Sequence, residues 1–347
     1  MPGQPRYRVN IQVTVRAEIR CVPESRPVVS APVFLIEGHS AVSGPRAALS
    51  WRPLGESDLP AVTELARACL SADGGQPFAA SPSFLAAWYP PGAETYAGWD
   101  GDRLACVSSL RAAAGGAADA SPGRDPIGVT TGLVHPAKRR LGIGGHGFDW
   151  AAQEAQRAGR AELRAETESL NNGAHALYLS KGLYQVLAED VMQLDARTPV
   201  PLAHAPSDLT LSHWGQADPA RFYAVYQAAF RERPGFPGWP QERWVDWISD
   251  DDDFRPAWTL LASLDGADVA FVAGAATGWI SQMGVVPSAR GKDIGALLIA
   301  EAVRRMRSAG ETSVTLNVNV NNPHATALYR RIGFTRIGRR AKYQAKA

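Results

Sequence analysis

The sequence predicts an α/β protein built from two tandem units, each a mixed β-sheet with helices on both faces. The main observation is internal repetition. LNNGAHALYLSKGL (170–183) is echoed by NNPHATALYRRIGF (321–334), and LVHPAKRRLGIGGHGF (133–148) by VVPSARGKDIGALL (285–298). Pro136 and Pro287, Arg139 and Arg290, Gly144 and Gly295, and Tyr178 and Tyr329 are each separated by 151 residues, so two motifs recur in register and mark a duplicated unit. Length agrees, because 347 residues hold two domains of the usual size of roughly 100–200 residues.

The second unit shows the order of elements more clearly. DLTLSHW (208–214) reads as a short strand, and PARFYAVYQAAF (219–230) has the spacing of an amphipathic helix. A loop rich in Gly, Pro and Trp follows (231–240), then a second helix at ERWVDWI (242–248). AWTLLASL (257–264) and ADVAFVAGAA (267–276) are strands joined by the turn residues Asp265 and Gly266, and GWISQMGVV (278–286) is a strand that ends at Pro287. IGALLIAEAVRRMRSAG (294–310) is a helix closed by Gly310. ETSVTLNVNV (311–320) alternates, with Val314, Leu316, Val318 and Val320 on one face. A helix over 323–332 and a last strand after Phe334 complete the unit. The first unit repeats this order from LSWRPL (49–54) and a helix after Asp58, with AELRAETES (161–169) as its alternating strand and a glycine-rich insert (112–125) between its central strands.

Boundaries follow from composition. Residues 1–47 have no counterpart in the second unit and lack a clean secretory signal, so they are expected to be a disordered extension. The first unit spans 48–195, a proline-rich linker 196–207, and the second unit 208–347. A net charge of +2 gives no electrostatic case for nucleic acid or an anionic membrane surface. No apolar run is long enough to span a membrane. Cys21, Cys69 and Cys106 show neither metal spacing nor a disulfide framework, which points to a reducing cytoplasm and no metal.

Chemistry enters between strand and helix. In RRLGIGG the chain leaves a strand, turns tightly and starts a helix, and glycines let backbone amides converge on an anion. With Asn and Tyr about 35 residues further on, and the whole combination recurring, the two loops read as phosphate cradles.

The residues V-x-P-x-x-R-R-L-G-I-G-G and V-x-P-x-x-R-G-K-D-I-G-A, each followed by N-x-x-A-x-x-L-Y-x-x-x-G-(L/F), resemble the GNAT family of N-acetyltransferases. The resemblance covers about 300 residues and is strongest over 279–334. It implies mostly antiparallel sheets with a central splayed strand pair, acetyl-CoA as cosubstrate and a primary amine, of a small molecule, as acceptor. The CoA-binding residues it implies are Leu133, Val134, Arg139, Arg140, Leu141, Gly142, Ile143, Gly144, Gly145 and Asn171 in the first unit. In the second unit they are Val285, Val286, Arg290, Gly291, Lys292, Asp293, Ile294, Gly295, Ala296 and Asn322. Tyr178 and Tyr329 are the expected acids for the departing thiolate. A backbone amide around Gly132 to Val134 or Met283 to Val285 is the expected oxyanion donor.

The two units then compete for the active role. Asp293 stands where the first unit has Gly142, and a carboxylate facing a pyrophosphate would weaken that loop. Conversely, the second unit keeps Pro323 and Phe334 and carries Phe236, Trp239, Trp244 and Trp247 in the segment that shapes the acceptor pocket of relatives. The second unit is therefore expected to be catalytic. Neither central strand bears a carboxylate base. Glu166, Glu168 and the run Asp250 to Asp253 are read mainly as solvated, and Asn171 and Asn322 are equally readable as helix caps. That gap leaves two other readings open, a non-catalytic acyl-CoA sensor or scaffold and a peptide or protein N-acetyltransferase.

Overall fold

The computed structural model describes residues 49–113, 127–200, 206–233, 236–250 and 252–345. The expected extension over 1–47 and most of the glycine-rich insert lie outside them.

The first repeat runs β1 (Ser50–Leu54), α1 (Leu59–Asp73), α2 (Pro82–Trp88), β2 (Gly92–Asp100), β3 (Arg103–Ala112), β4 (Ile127–Val134), α3 (Ile143–Arg157), β5 (Glu162–Thr167), α4 (Asn172–Ser180) and β6 (Leu183–Asp195). The second follows with β7 (Leu209–His213), α5 (Pro219–Phe230), α6 (Gln241–Ser249), β8 (Leu260–Leu264), β9 (Ala267–Ala275), β10 (Trp279–Val285), α7 (Ile294–Ser308), β11 (Ser313–Asn319), α8 (Pro323–Ile332) and β12 (Thr335–Ala345). The expected order of elements is thus present in both halves.

Local chemistry explains the helix ends. Ser81, Asp218, Asn171 and Asn322 each accept a backbone N–H with the side chain at an N-cap, and α2, α5 and α8 place a proline in the first turn, where no helical donor is lost. Gly333, at φ 111°, ends α8 in a left-handed conformation. In α7 the buried stripe Ile294, Leu298, Ile299, Ala302, Val303 and Met306 follows the three-and-four spacing of a helix face. Leu298 and Ile299 have no exposed surface, and burying each contributes about 2 kcal/mol.

The described strands form one sheet in the order β1, β2, β3, β4, β5, β12, β6, β11, β10, β9, β8, β7. Only β4 with β5 and β10 with β11 run parallel; the other neighbours are antiparallel. The order reads the same from either end once β6 and β12 are exchanged. Each repeat therefore sends its last strand across to the other, β6 lying on β11 and β12 on β5.

Both central pairs splay. β4 and β5 pair from Ile127 with Glu162 to Thr130 with Ala165, and β4 then runs on to Val134 paired with β3 but not with β5. β10 and β11 pair only at Trp279 with Thr315 and Ile280 with Leu316. The β9–β10 register skips Ser281, a bulge that bends β10 where the splay begins, whereas the equivalent β3–β4 ladder is regular. Apolar side chains fill both faces: Leu298, Ile299 and Phe334 on one side of the second half, and Phe222, Trp244 and Phe271 on the other.

Candidate functional site

The two glycine-rich loops have the same backbone. Arg140 (φ 66°) and Gly142 (φ 78°) in the first match Gly291 (φ 79°) and Asp293 (φ 56°) in the second, so each loop needs two left-handed residues and supplies one glycine. The non-glycine residue costs about 1–2 kcal/mol each time. The helices α3 and α7 begin immediately after, presenting first-turn amides to the loop.

Their charges differ. Arg139 donates through Nε to the Val134 carbonyl at 3.2 Å and grips both oxygens of Asp73 at 2.7 Å. Asn171, besides capping α4, donates Nδ2 to the same carboxylate at 3.0 Å. Burial alone would lower the Arg139 pKa, but Asp73 outweighs it and raises it. Arg290 makes the equivalent Nε contact with the Val285 carbonyl and a second with the Ala229 carbonyl, both at 3.2 Å. The concern over Asp293 is removed. Its carboxylate turns outward, half exposed, to Arg331 at 2.5 Å. The anion that faces a loop is Asp73, in the first unit.

Space is divided the other way. Leu133, Val134, Arg139, Arg140, Gly142, Ile143, Gly144, Gly145, Asn171 and Tyr178 line one cleft of about 520 Å³; Leu141 points to solvent outside it. Behind Cys69, Thr131 and Leu133, which also line this cleft, Phe84, Trp88 and Tyr89 leave only about 20 Å³ on the acceptor side. In the second unit Tyr329, Asn322 and Met283 line a cavity of about 210 Å³ that the loop residues from Arg290 to Ala296, with Val285 and Val286, do not enter. Met283 stands between them, its Cε 3.2 Å from where a Cβ on Gly295 would lie.

Tyr329 is buried against Phe334, and that burial pushes its hydroxyl up to about 12, with Arg233 pulling against the shift. Tyr178 lies 4.8 Å from the Tyr343 ring, and burial raises it further. Of the four expected aromatic residues, Phe236, Trp239 and Trp247 line the cavity. Trp244 is core: it stacks on Tyr226 at 4.9 Å and donates Nε1 to Gln282. Of the run Asp250 to Asp253, Asp251 lies outside the described residues and the other three are not at the cavity. Asn322 accepts the Ala325 N–H, so both asparagines cap helices.

Glu166 and Glu168 are not solvated. The exchanged β12 lays Lys342 against Glu166 at 2.8 Å and Arg340 against Glu168 at 3.3 Å. Burial pushes both carboxyls up. Lys342 and Arg111 reverse this for Glu166, while Glu168 stays above its ordinary value.

Sequence reasoning missed Glu189, Arg233, Arg340, Phe78 and Trp279, all of which line the second cavity. Phe78 and Glu189 belong to the first repeat. Phe78 meets Trp279 edge to face at 5.8 Å. Glu189 Oε2 accepts from Arg340 Nε at 2.9 Å, and its Oε1 lies 4.0 Å from Arg233. The signal was a Glu-Asp pair flanked by the apolar residues VLA and VM at the centre of the strand LYQVLAEDVMQLD.

Among the described residues, no group of three or more His, Cys, Asp or Glu could hold a metal ion, and no helix is long and apolar enough to cross a membrane. Comparison with known proteins gives one family. The model of the Acetyltransferase (GNAT) family matches residues 220–334. A mycothiol acetyltransferase of Gordonia bronchialis is 30% identical over 242 residues, covering 64% of this chain and 75% of that protein. One from Thermobispora bispora is 29% identical over 300 residues, covering 80% and 93%. Among solved structures, a GNAT-family N-acetyltransferase of Sphaerobacter thermophilus superposes with a TM-score of 0.66 at 23% identity over 87% of this chain and 96% of that one. A tandem GNAT protein of the clavulanic acid biosynthesis pathway gives 0.56 at 20% identity over 86% and 98%. These similarities, with the duplicated splayed sheet, make the chain a tandem acyltransferase of the GNAT acetyltransferase family, similar in architecture to mycothiol synthase.

Proposed function

We propose that the second repeat transfers an acetyl group from acetyl-CoA to the primary amine of a small molecule, and that the first repeat is a non-catalytic copy. One observation carries this reading: Tyr329 lines an open aromatic cavity at the bulged, splayed end of β10, whereas the acceptor side of Tyr178 is filled.

The chain's residues fit the cosubstrate. Splayed strands leave backbone donors free, and the 290–296 loop offers helix-start amides with an Arg290 that is bonded only to carbonyls. Asn322 lines the cavity with Tyr329, and Met283 lies between that cavity and the loop. Met283 is unbranched and shifts readily. The chemistry asks for orientation, an oxyanion donor near Met283 and an acid. The amine nitrogen bonds to the thioester carbon, the C–S bond breaks, and Tyr329 gives its proton to the thiolate. The proton remaining on nitrogen replaces it, so one proton is released for each ammonium converted to amide. A small acceptor is supported by the cavity of about 210 Å³ and by relatives named mycothiol acetyltransferase.

The test is thiol release from acetyl-CoA with a panel of primary amines, alongside native mass spectrometry of acetyl-CoA binding. Turnover that Tyr329→Phe abolishes without loss of binding supports the reading. Binding with no turnover on any amine replaces it with a sensor.

A further inference from the structure

The second cavity has a buried carboxylate that no central strand supplies. We infer that Glu189, delivered from the first repeat by the exchange of β6, binds the acceptor's ammonium group and takes its proton before attack, and that the acceptor carries this group on an aromatic or flat apolar body. The inference rests on the acetyltransferase reading and adds the acceptor class and the missing base.

Glu189 pairs with Asn319 in the β6–β11 ladder, so it stands at the edge of the splay that Tyr329 faces. Its side chain is only 9% exposed, yet it lines the cavity. One oxygen, Oε2, is held by Arg340 at 2.9 Å, which fixes the carboxylate's direction. The other, Oε1, has Arg233 at 4.0 Å, beyond hydrogen-bond range, and so can accept from an ammonium. The same cavity is lined by Phe78, Trp239, Trp247 and Trp279, a wall suited to a flat apolar body.

The duplication supplies an internal control. Glu189 and Arg340 are equivalent, 151 residues apart. In the first repeat the exchanged strand therefore presents an arginine, already paired with Glu168, where the second receives a carboxylate. The first repeat thus has no carboxylate at this position, and its acceptor side is filled. The proton Glu189 takes passes to solvent, which accounts for the one released per turnover.

The probe is phenethylamine against phenethyl alcohol, titrated into the full chain and read by tryptophan fluorescence. The expected result is at least a tenfold preference for the amine in the wild type. Glu189→Gln, which still offers Arg340 an acceptor, abolishes this preference and lowers kcat/KM for amines about 100-fold, with acetyl-CoA binding unchanged. An equal preference in Glu189→Gln, or none in the wild type, overturns the inference. Should Glu189→Gln fail to fold, Glu189→Asp is read instead, with a tenfold loss of kcat/KM expected and wild-type kinetics overturning it. Transfer fails separately: a wild type that prefers the amine but acetylates none keeps the ammonium site and loses the acetyltransferase reading.

Discussion

Glu189 and Arg340 are the same position of the two repeats and are also each other's partner across the β6–β12 ladder, Oε2 to Nε at 2.9 Å. The pseudo-twofold axis that relates the halves thus passes through this pair. Two identical charged residues there would face each other, and opposite charges convert that repulsion into a buried contact. Arg340 also reaches Glu168 at 3.3 Å, so one guanidinium joins the residue facing the second cavity to one beside the closed pocket of the first.

Removing that guanidinium leaves two buried carboxylates facing each other. Arg340→Met is expected to lower unfolding free energy by about 3–5 kcal/mol, read from urea denaturation. Adding Glu168→Gln and Glu189→Gln should restore most of it, because the loss comes from uncompensated charge rather than from packing. A triple variant no more stable than Arg340→Met would contradict this.

Tyr329→Phe should lower kcat by about 100-fold or more while acetyl-CoA binding stays within twofold. Tyr178→Phe should leave kcat within about twofold, since its acceptor side has no room for a substrate. Equal losses in the two variants would show that both repeats turn over.

Much of this could be read from sequence, and the exceptions share a cause. The loops, both tyrosines and the helices that carry them stand on local patterns of glycine, proline and helical spacing. Glu189 and Arg340 could not be placed, because the 151-residue offset says which strands are equivalent but not which half each one joins. The same exchange explains Glu166 and Glu168. Their alternation in β5 suggested a solvated face, and β12, pairing beside β5, instead sets Arg340 and Lys342 against them. Trp244 was indistinguishable from Trp239 and Trp247 in sequence because one helix and its leading loop supply both core and cavity.

The bidentate grip of Asp73 predicts that the first loop binds anions weakly despite its open cleft. Asp73→Asn should tighten acetyl-CoA binding there about tenfold, about 1.4 kcal/mol, and Arg290→Ala should weaken binding at the second loop by a similar factor. Native mass spectrometry counts the two equivalents separately. An unchanged first-loop affinity in Asp73→Asn would mean that Arg139 already lets go when the cosubstrate arrives.

A close backbone approach ties the end of α1 to β12. A Cβ on Gly338 would lie 2.0 Å from the Gly75 nitrogen, and Gly74, at φ 69°, would place one 1.7 Å from the Ile337 carbonyl oxygen. Neither neighbour is a flexible side chain that can yield. Gly338→Ala should therefore cost about 2–4 kcal/mol through forced backbone shifts, measured by thermal or urea unfolding. Because β12 lies between β5 and β6, the damage should also lower turnover at the second cavity.

Alkaline pH provides the last test. Burial raises Tyr329 to about 12, so the native state holds that phenolic proton more tightly than the unfolded chain, whose tyrosines titrate near 10. A raised pKa of this kind contributes stability that is fully present below pH 10 and is lost as pH rises through about 12. For Tyr329 the contribution is about 3 kcal/mol. Tyr226, also raised to about 12, and Cys69, raised to about 11, add losses of the same sign. The urea midpoint should accordingly be flat from pH 7 to 9 and fall steeply above 10. In Tyr329→Phe the fall should be shallower, since phenylalanine has no proton to lose. Parallel curves for wild type and variant would mean that the hydroxyl is solvated in the native protein, and would remove burial as the reason it stays protonated to serve as the acid.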